Sequence, residues 1–118
     1  MQAATEPTTI LGYIRDVAYL VFQFTEGKSF SEYEQDIMLR SAVERQFITI
    51  GESVNLLTKA EPELVSSITN YHQIIGLRNR LAHVFIEIND GIVWRATTHH
   101  LPILRAEVNQ LIQKYERS

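Results

Sequence analysis

Several features that this sequence lacks limit what the protein can be. It has no cysteine, which excludes disulfides, thiolate metal sites and a cysteine nucleophile. No apolar run approaches the ~20 residues needed to span a bilayer, and residues 1–7 are polar without a signal-peptide pattern. The net charge of −3 gives no overall positive field, so any contact with nucleic acid requires a local basic patch. These absences predict a cytoplasmic protein.

The remaining composition is that of an ordinary globular domain. Hydrophobic residues make up 45% of the 118 positions and charged residues 21%, which is enough apolar material for a core without disulfide or metal staples. Because a single core normally serves a chain of this size, we expect one domain over residues 1–118.

Apolar residues recur every three or four positions along four segments, which is the spacing of one helix face. Short connections between such segments favour an all-α, antiparallel four-helix bundle. The predicted helices span about 8–26, 32–60, 66–84 and 92–116.

Local signals set the first two helix boundaries. Gly27 is expected to end the first helix, because glycine adopts the left-handed conformation at little cost. Ser31 and Glu34 have the spacing of a capping box and are predicted to begin the second helix, which Pro62 then ends.

The last connection is less clear from the sequence. Residues 84–88 are rich in strand formers, but a strand there would have no clear partner, so we predict an extended connection ending in a turn at residues 89–91. Pro102 either opens the final helix or kinks one that began near Ile92.

The segment from Arg78 to His83 holds the densest basic spot beside a histidine. At ~100° per residue, His83 lies opposite the apolar side of its helix and therefore faces water or another protein. Asn79 is one turn before His83 and could hold the imidazole ring through a hydrogen bond.

Arg78 and His83 are five positions apart, or ~140° around a helix, so a straight helix cannot bring both to one small ligand. Either a two-fold dimer places both copies of each residue in one cleft, or the helix breaks near Ala82. We favour the homodimer, because closed two-fold assemblies are the commonest oligomers.

Histidine can act as general acid or base near neutral pH, and arginine offers a planar fork suited to phosphate. Together they suffice to cleave RNA through its own 2′-hydroxyl without a metal. An arginine followed by a histidine five positions later also occurs by chance, and an exposed surface histidine is then the simpler interpretation.

The sequence IGLRNRLAH at residues 75–83, followed by IVW at 92–94 and LPIL at 101–104, resembles the HEPN superfamily. Within that superfamily the chain is most similar to the HepT-like toxins, over about residues 11–115. The resemblance implies a metal-independent endoribonuclease that is the toxin of a type VII-like toxin–antitoxin pair. Such toxins act as homodimers and are commonly paired with an MNT-type nucleotidyltransferase antitoxin.

By the same resemblance, Arg78 and His83 are the catalytic residues and Asn79 is the polar residue that accompanies the arginine. Arg80, in the same basic spot, is assigned to RNA binding. The family usually has a tyrosine two residues after the histidine, and the antitoxin modifies its hydroxyl with AMP. Phe85 stands at that position and has no hydroxyl. The antitoxin therefore covers the cleft, or another residue is modified, or the pairing is lost.

A second hypothesis is a non-catalytic, nucleotide- or partner-binding subunit of a two-component nucleotidyltransferase, in which Arg78 holds a phosphate. The acidic pI near 5.8 and Phe85 favour it. We predict no metal or cofactor, because His99 and His100 point ~100° apart on a helix and have no third ligand at suitable spacing.

Overall fold

Helices account for all the regular structure in the part of the chain that the computed structural model describes, residues 6–83 and 88–117. A π-helical turn, Ala96–His100, joins the last two helices. The helices are α1 (Pro7–Thr25), α2 (Phe30–Gln35), α3 (Ile37–Ala60), α4 (Pro62–Val65), α5 (Tyr71–His83), α6 (Asp90–Arg95) and α7 (Leu101–Glu116). The all-α prediction is confirmed. None of the described helices is long and apolar enough to cross a membrane.

The central helix is α3, which packs against α1 on one side and α5 on the other, while α7 packs against α1. The core consists of the apolar stripes seen in the sequence, and burying each large aliphatic side chain contributes about 1.5–3 kcal/mol. Fully buried members include Leu11, Ile14 and Val21 of α1, Phe47, Ile50, Val54 and Leu57 of α3, and Leu104 and Val108 of α7.

The first boundary follows the prediction. Helix α1 ends at Thr25, and Gly27 has φ +74°, the left-handed conformation expected of a helix-ending glycine.

The second helix was predicted to span about 32–60. This prediction is wrong in its first turns, because the structure has two helices in this region, α2 and α3. Asp36 lies between α2 and α3 with φ −110° and ψ 97°, outside the helical region. Its carboxylate accepts a hydrogen bond from the Leu39 backbone N–H at 3.0 Å and so caps α3.

The predicted capping box of Ser31 and Glu34 is also wrong, since the box lies two residues earlier. The Ser29 hydroxyl accepts from the Glu32 N–H at 3.1 Å, and the Glu32 carboxylate accepts from the Ser29 N–H at 2.8 Å. Both serines are followed by a glutamate three positions on, so the sequence pattern fits twice and only the fold selects one.

The third helix begins at Tyr71 rather than near residue 66, after a turn that is tied to α7. The carboxylate of Glu107 accepts hydrogen bonds from the Thr69 backbone N–H, at 2.9 Å, and from the Thr69 hydroxyl. In the described residues α5 ends at His83, and most of the predicted extended connection, residues 84–87, lies outside the described part of the chain.

Residues 89–91 start a helix instead of forming only a turn. The Asn89 side chain accepts from the Ile92 N–H at 3.2 Å and caps α6. Pro102 lies in the first turn of α7, as the first alternative predicts, but helical structure runs without a break from Asp90, so it also begins near Ile92, as the second predicts. In the π turn the Leu101 N–H bonds the Ala96 carbonyl, five residues back. This wider turn immediately precedes Pro102, which has no N–H of its own to donate.

Candidate active site on helix α5

A glycine on α3 sets how close α5 can come. A Cβ atom added at Gly51 would lie 2.2 Å from the Arg78 Cβ, closer than a side chain can tolerate, and 3.2 Å from the Ile74 carbonyl oxygen, which is a tight contact. Gly51 thus allows the two helices to touch at the level of Arg78. Sequence reasoning missed this residue, although a glycine inside a long helix, where it costs about 1 kcal/mol relative to alanine, was the available signal.

The Arg78 side chain is held in one direction by its neighbours on both helices. Its stem lies over Gly51, its Nη2 donates to the Glu52 carboxylate at 3.2 Å, and its Nη1 donates to the Asn79 side-chain oxygen at 3.0 Å. The side chain remains 27% exposed, so the guanidinium is partly open to solvent. Its Nε is buried and has no hydrogen-bond partner among the described residues. Glu52 is a second residue that sequence reasoning missed.

Asn79 contacts a different partner from the one expected. Its side-chain oxygen accepts the hydrogen bond from Arg78, and within residues 6–83 and 88–117 no hydrogen bond joins it to His83. The hydrogen bond expected to hold the imidazole ring is therefore not formed between these described residues, and Asn79 instead supports the arginine.

His83 lies at the end of α5 and is exposed. Ile74, Leu77 and Leu81 are buried on the opposite side of the helix. The expected orientation of His83, away from the hydrophobic interior, is confirmed. Phe85, which stands at the position of the family's modified tyrosine, lies outside the described residues.

Within one chain, the cation nearest to His83 around the helix is Arg80 rather than Arg78. Arg80 is exposed and lies three positions before His83, about 60° around the helix, so the two share its outer face. Arg78 is about 140° away, on the side that packs against α3. A single chain therefore brings Arg80 and His83 together and leaves Arg78 on another face.

A groove of about 280 Å³ adjoins this outer face, between α5 and the segment formed by α6 and the π turn. Its polar side chains are those of Gln73, Arg80, Arg95 and His100, Gly76 also lines it, and we call it the α5–α6 groove. Burial, and then the positive charges of Arg95 and His99, lower the pKa of His100 below its ordinary value. The two adjacent histidines thus differ, since His99 is exposed and His100 is half-buried against the groove.

A larger cavity, about 360 Å³, lies elsewhere. It is lined by Glu61 and Glu63 together with Leu64, Ser67, Leu111, Lys114 and Tyr115. Glu61 is ten residues beyond Gly51, or about 15 Å further along α3. Two carboxylates make this cavity a poor place for a phosphate, so the motif on α5 remains the candidate site.

Comparison with known proteins places the chain among ribonucleases. The family model described as ribonuclease HepT-like matches residues 14–111, which include α5 and the whole motif. The chain therefore belongs to the HepT-like ribonuclease family, and ribonuclease is the enzyme class to which this family membership assigns it.

Two relatives illustrate the similarity. A proposed RNase of Caldanaerobacter subterraneus subsp. tengcongensis is 29% identical over 108 residues, covering 92% of this chain and 96% of that protein. A proposed RNase of Methanocaldococcus jannaschii is 30% identical over 101 residues, covering 81% of this chain and 78% of that protein. No solved structure gives a significant match.

Proposed function

We propose that this chain is the toxin of a type VII-like toxin–antitoxin pair, a metal-independent endoribonuclease whose cleft lies between the two subunits of a homodimer. The observation that carries the proposal is the placement of the motif on α5. His83 is exposed on the outer face, while Glu52 and Asn79 fix the Arg78 guanidinium on the side of α3.

The angular separation of Arg78 and His83 supports a shared cleft. Since about 140° of helix separates them, one copy of α5 cannot present both to one phosphate. Two copies related by a two-fold axis can present Arg78 of one chain and His83 of the other to the same phosphate. Exposure of His83 leaves its ring accessible to such a cleft.

The proposed reaction uses the RNA's own nucleophile. The His83 imidazole removes the proton of a ribose 2′-hydroxyl, and the 2′-oxygen attacks the adjacent phosphorus. The bond from phosphorus to the 5′-oxygen breaks, and the 5′-oxygen takes a proton from solvent as it leaves. The His83 imidazolium later gives its proton back to solvent. The products are a 2′,3′-cyclic phosphate and a 5′-hydroxyl. No step requires a metal ion.

Arg78 stabilises the negative charge that develops on the non-bridging phosphate oxygens. Such stabilisation is strongest when the donor is already oriented, because no reorganisation is then needed during the reaction. The hydrogen bonds from Arg78 to Glu52 and Asn79 provide that orientation, so Glu52 is a positioning residue in this proposal. Arg80, beside His83 on the outer face, contacts the RNA backbone.

The proposed partner is an MNT-type nucleotidyltransferase antitoxin. AMP transfer to the usual position is impossible, because Phe85 has no hydroxyl. Inhibition in this chain therefore works by covering the cleft or by modifying another residue.

The test is cleavage of RNA by the purified protein and its His83→Ala variant, with His99→Ala as a matched control that removes another exposed histidine. We expect His83→Ala to abolish cleavage and growth arrest while leaving the melting temperature unchanged, since the side chain lies off the core. His99→Ala should cleave normally, the products should carry 2′,3′-cyclic phosphates, and a chelator should not inhibit. Equal cleavage by the wild type and His83→Ala would refute the proposal.

A further inference from the structure

We infer that the α5–α6 groove binds the backbone of the RNA strand that flanks the cleaved phosphate, with Arg80 and Arg95 as its phosphate-binding cations. This inference rests on the proposed ribonuclease function and extends it, because it assigns Arg95, His100 and Gly76, which have no role in the proposed cleavage step, to substrate binding.

The charge of the groove suits a polyanion. Arg80 contributes from α5 and Arg95 from α6, and both side chains are exposed. None of the described residues that line the groove is acidic. Its floor is apolar, formed by Leu77, Ile92 and Ala96. Cations at the edges and an apolar floor match a nucleic-acid strand, in which charged phosphates alternate with sugars and bases that can pack on apolar surface.

The groove begins at Arg80, about one helical turn from His83. At about 1.5 Å per residue, Arg80 lies about 4.5 Å along the helix axis from His83, and Gln73 lies about 15 Å from it. Arg80 also borders a second pocket of about 280 Å³ that extends toward Asn89. An RNA strand whose cleaved phosphate lies at His83 therefore reaches Arg80 first and then the rest of the groove.

Gly76 keeps the groove open. A Cβ atom added there would meet nothing within 4 Å, so no packing contact explains the glycine. Inside a helix, glycine is about 1 kcal/mol less favourable than alanine. A side chain at this position would project into the groove, and its absence leaves room for a ribose–phosphate backbone to approach α5 closely.

The π turn supplies the remaining polar group. Turns of this kind occur frequently at functional sites, and this one carries His100 to the groove. With its pKa lowered by burial, the imidazole stays neutral at neutral pH and offers one donor and one acceptor. Those groups suit a ribose hydroxyl, while the two arginines supply the charge.

The experiment measures binding of a fluorescent, fully 2′-O-methylated RNA oligonucleotide, which cannot be cleaved through a 2′-hydroxyl, by anisotropy at several salt concentrations. Arg95→Ala should weaken binding roughly tenfold and reduce the slope of log K against log salt by about 0.7, the value for one contact to single-stranded nucleic acid. Arg117→Ala removes the same charge just beyond the far end of α7, about 25 Å along the helix axis from His100, and should change neither quantity.

A second pair of variants tests the space in the groove. Gly76→Glu should abolish binding by placing a carboxylate among the phosphates, whereas Gly76→Ala should weaken binding less, because a methyl group fills only part of the space that the glycine leaves. Both should fold, because a Cβ atom at this position meets open space.

The outcomes separate this inference from the proposed function. If the wild type cleaves RNA and His83→Ala does not, but Arg95→Ala and Gly76→Glu bind RNA normally, the groove inference alone is overturned. Loss of binding together with loss of the dimer by light scattering would assign the groove to subunit contact and overturn it as well. A wild type that neither binds nor cleaves RNA would overturn both.

Discussion

The two sides of α5 differ in how tightly they are filled. On the side of α3, Gly51 admits the Arg78 stem at a distance where no Cβ could fit, and Glu52 fixes its guanidinium. On the side of α6, Gly76 faces open space and Arg80 lies exposed beside the groove. One glycine thus creates a close contact and the other preserves a gap. The comparison indicates that α5 holds Arg78 in one orientation for catalysis and leaves Arg80 exposed to bind a flexible RNA strand.

Replacing each of these glycines with alanine should show the difference between the two sides of α5 most clearly. Gly51→Ala forces the new methyl group against Arg78 and the Ile74 carbonyl, and such overpacking typically costs about 1–3 kcal/mol. Gly76→Ala gains helix propensity without a clash and should stabilise the fold by about 1 kcal/mol. Thermal melts followed by circular dichroism should therefore move in opposite directions, by roughly 4 °C per kcal/mol.

Cleavage assays on the same pair extend that comparison. Gly51→Ala should lose activity because it displaces Arg78, and Gly76→Ala should lose less, because its methyl group only narrows the groove and leaves Arg78 and His83 in place. Destabilisation by both variants, or by neither, would contradict the contrast between a filled side and an open side.

A smaller effect is expected from removing the residue that orients Arg78. Glu52→Ala should lower kcat roughly tenfold with KM unchanged, because the arginine is still present but no longer held in place. Glu52→Gln keeps an oxygen that can accept from Nη2 and should restore most of the rate. The melting temperature should hardly move, since Glu52 is half exposed and a surface ion pair contributes ~0–1 kcal/mol.

The control for this measurement is Glu63→Ala, an exposed carboxylate on the separate short helix α4. It should leave kcat and KM unchanged. A rate for Glu52→Ala equal to that of the wild type would mean that Arg78 needs no support from α3.

The sequence predicted what depends on local periodicity. The α1 stripe, the stop at Gly27 and the outward direction of His83 all follow from the angular spacing of side chains on one helix. Local patterns fail where two solutions are equally good, as with the two possible capping boxes of Ser29 and Ser31. In that instance the extended residue Asp36, which interrupts the helix, decides the outcome.

The rest of the site depends on contacts between distant parts of the chain. Gly51 and Glu52 are 27 and 26 positions before Arg78, so no local pattern links them to the motif. For the same reason the sequence suggested that Asn79 would form a hydrogen bond with His83, its neighbour one turn away. In the structure Asn79 accepts a hydrogen bond from Arg78, whose side chain is held in place by contacts with α3. The groove likewise exists only because the fold places α6 and the π turn opposite α5.

The most direct test of the shared cleft is to mix two inactive variants, Arg78→Ala and His83→Ala, and to measure RNA cleavage after subunit exchange. Each mixed dimer contains one intact Arg78 and one intact His83 on different chains. If the two residues meet across the subunit interface, the mixture should regain up to about a quarter of wild-type activity. In a random mixture, about a quarter of all cleavage sites combine an intact Arg78 with an intact His83. Mixed dimers that are present by mass spectrometry but remain inactive would contradict a cleft built from both subunits.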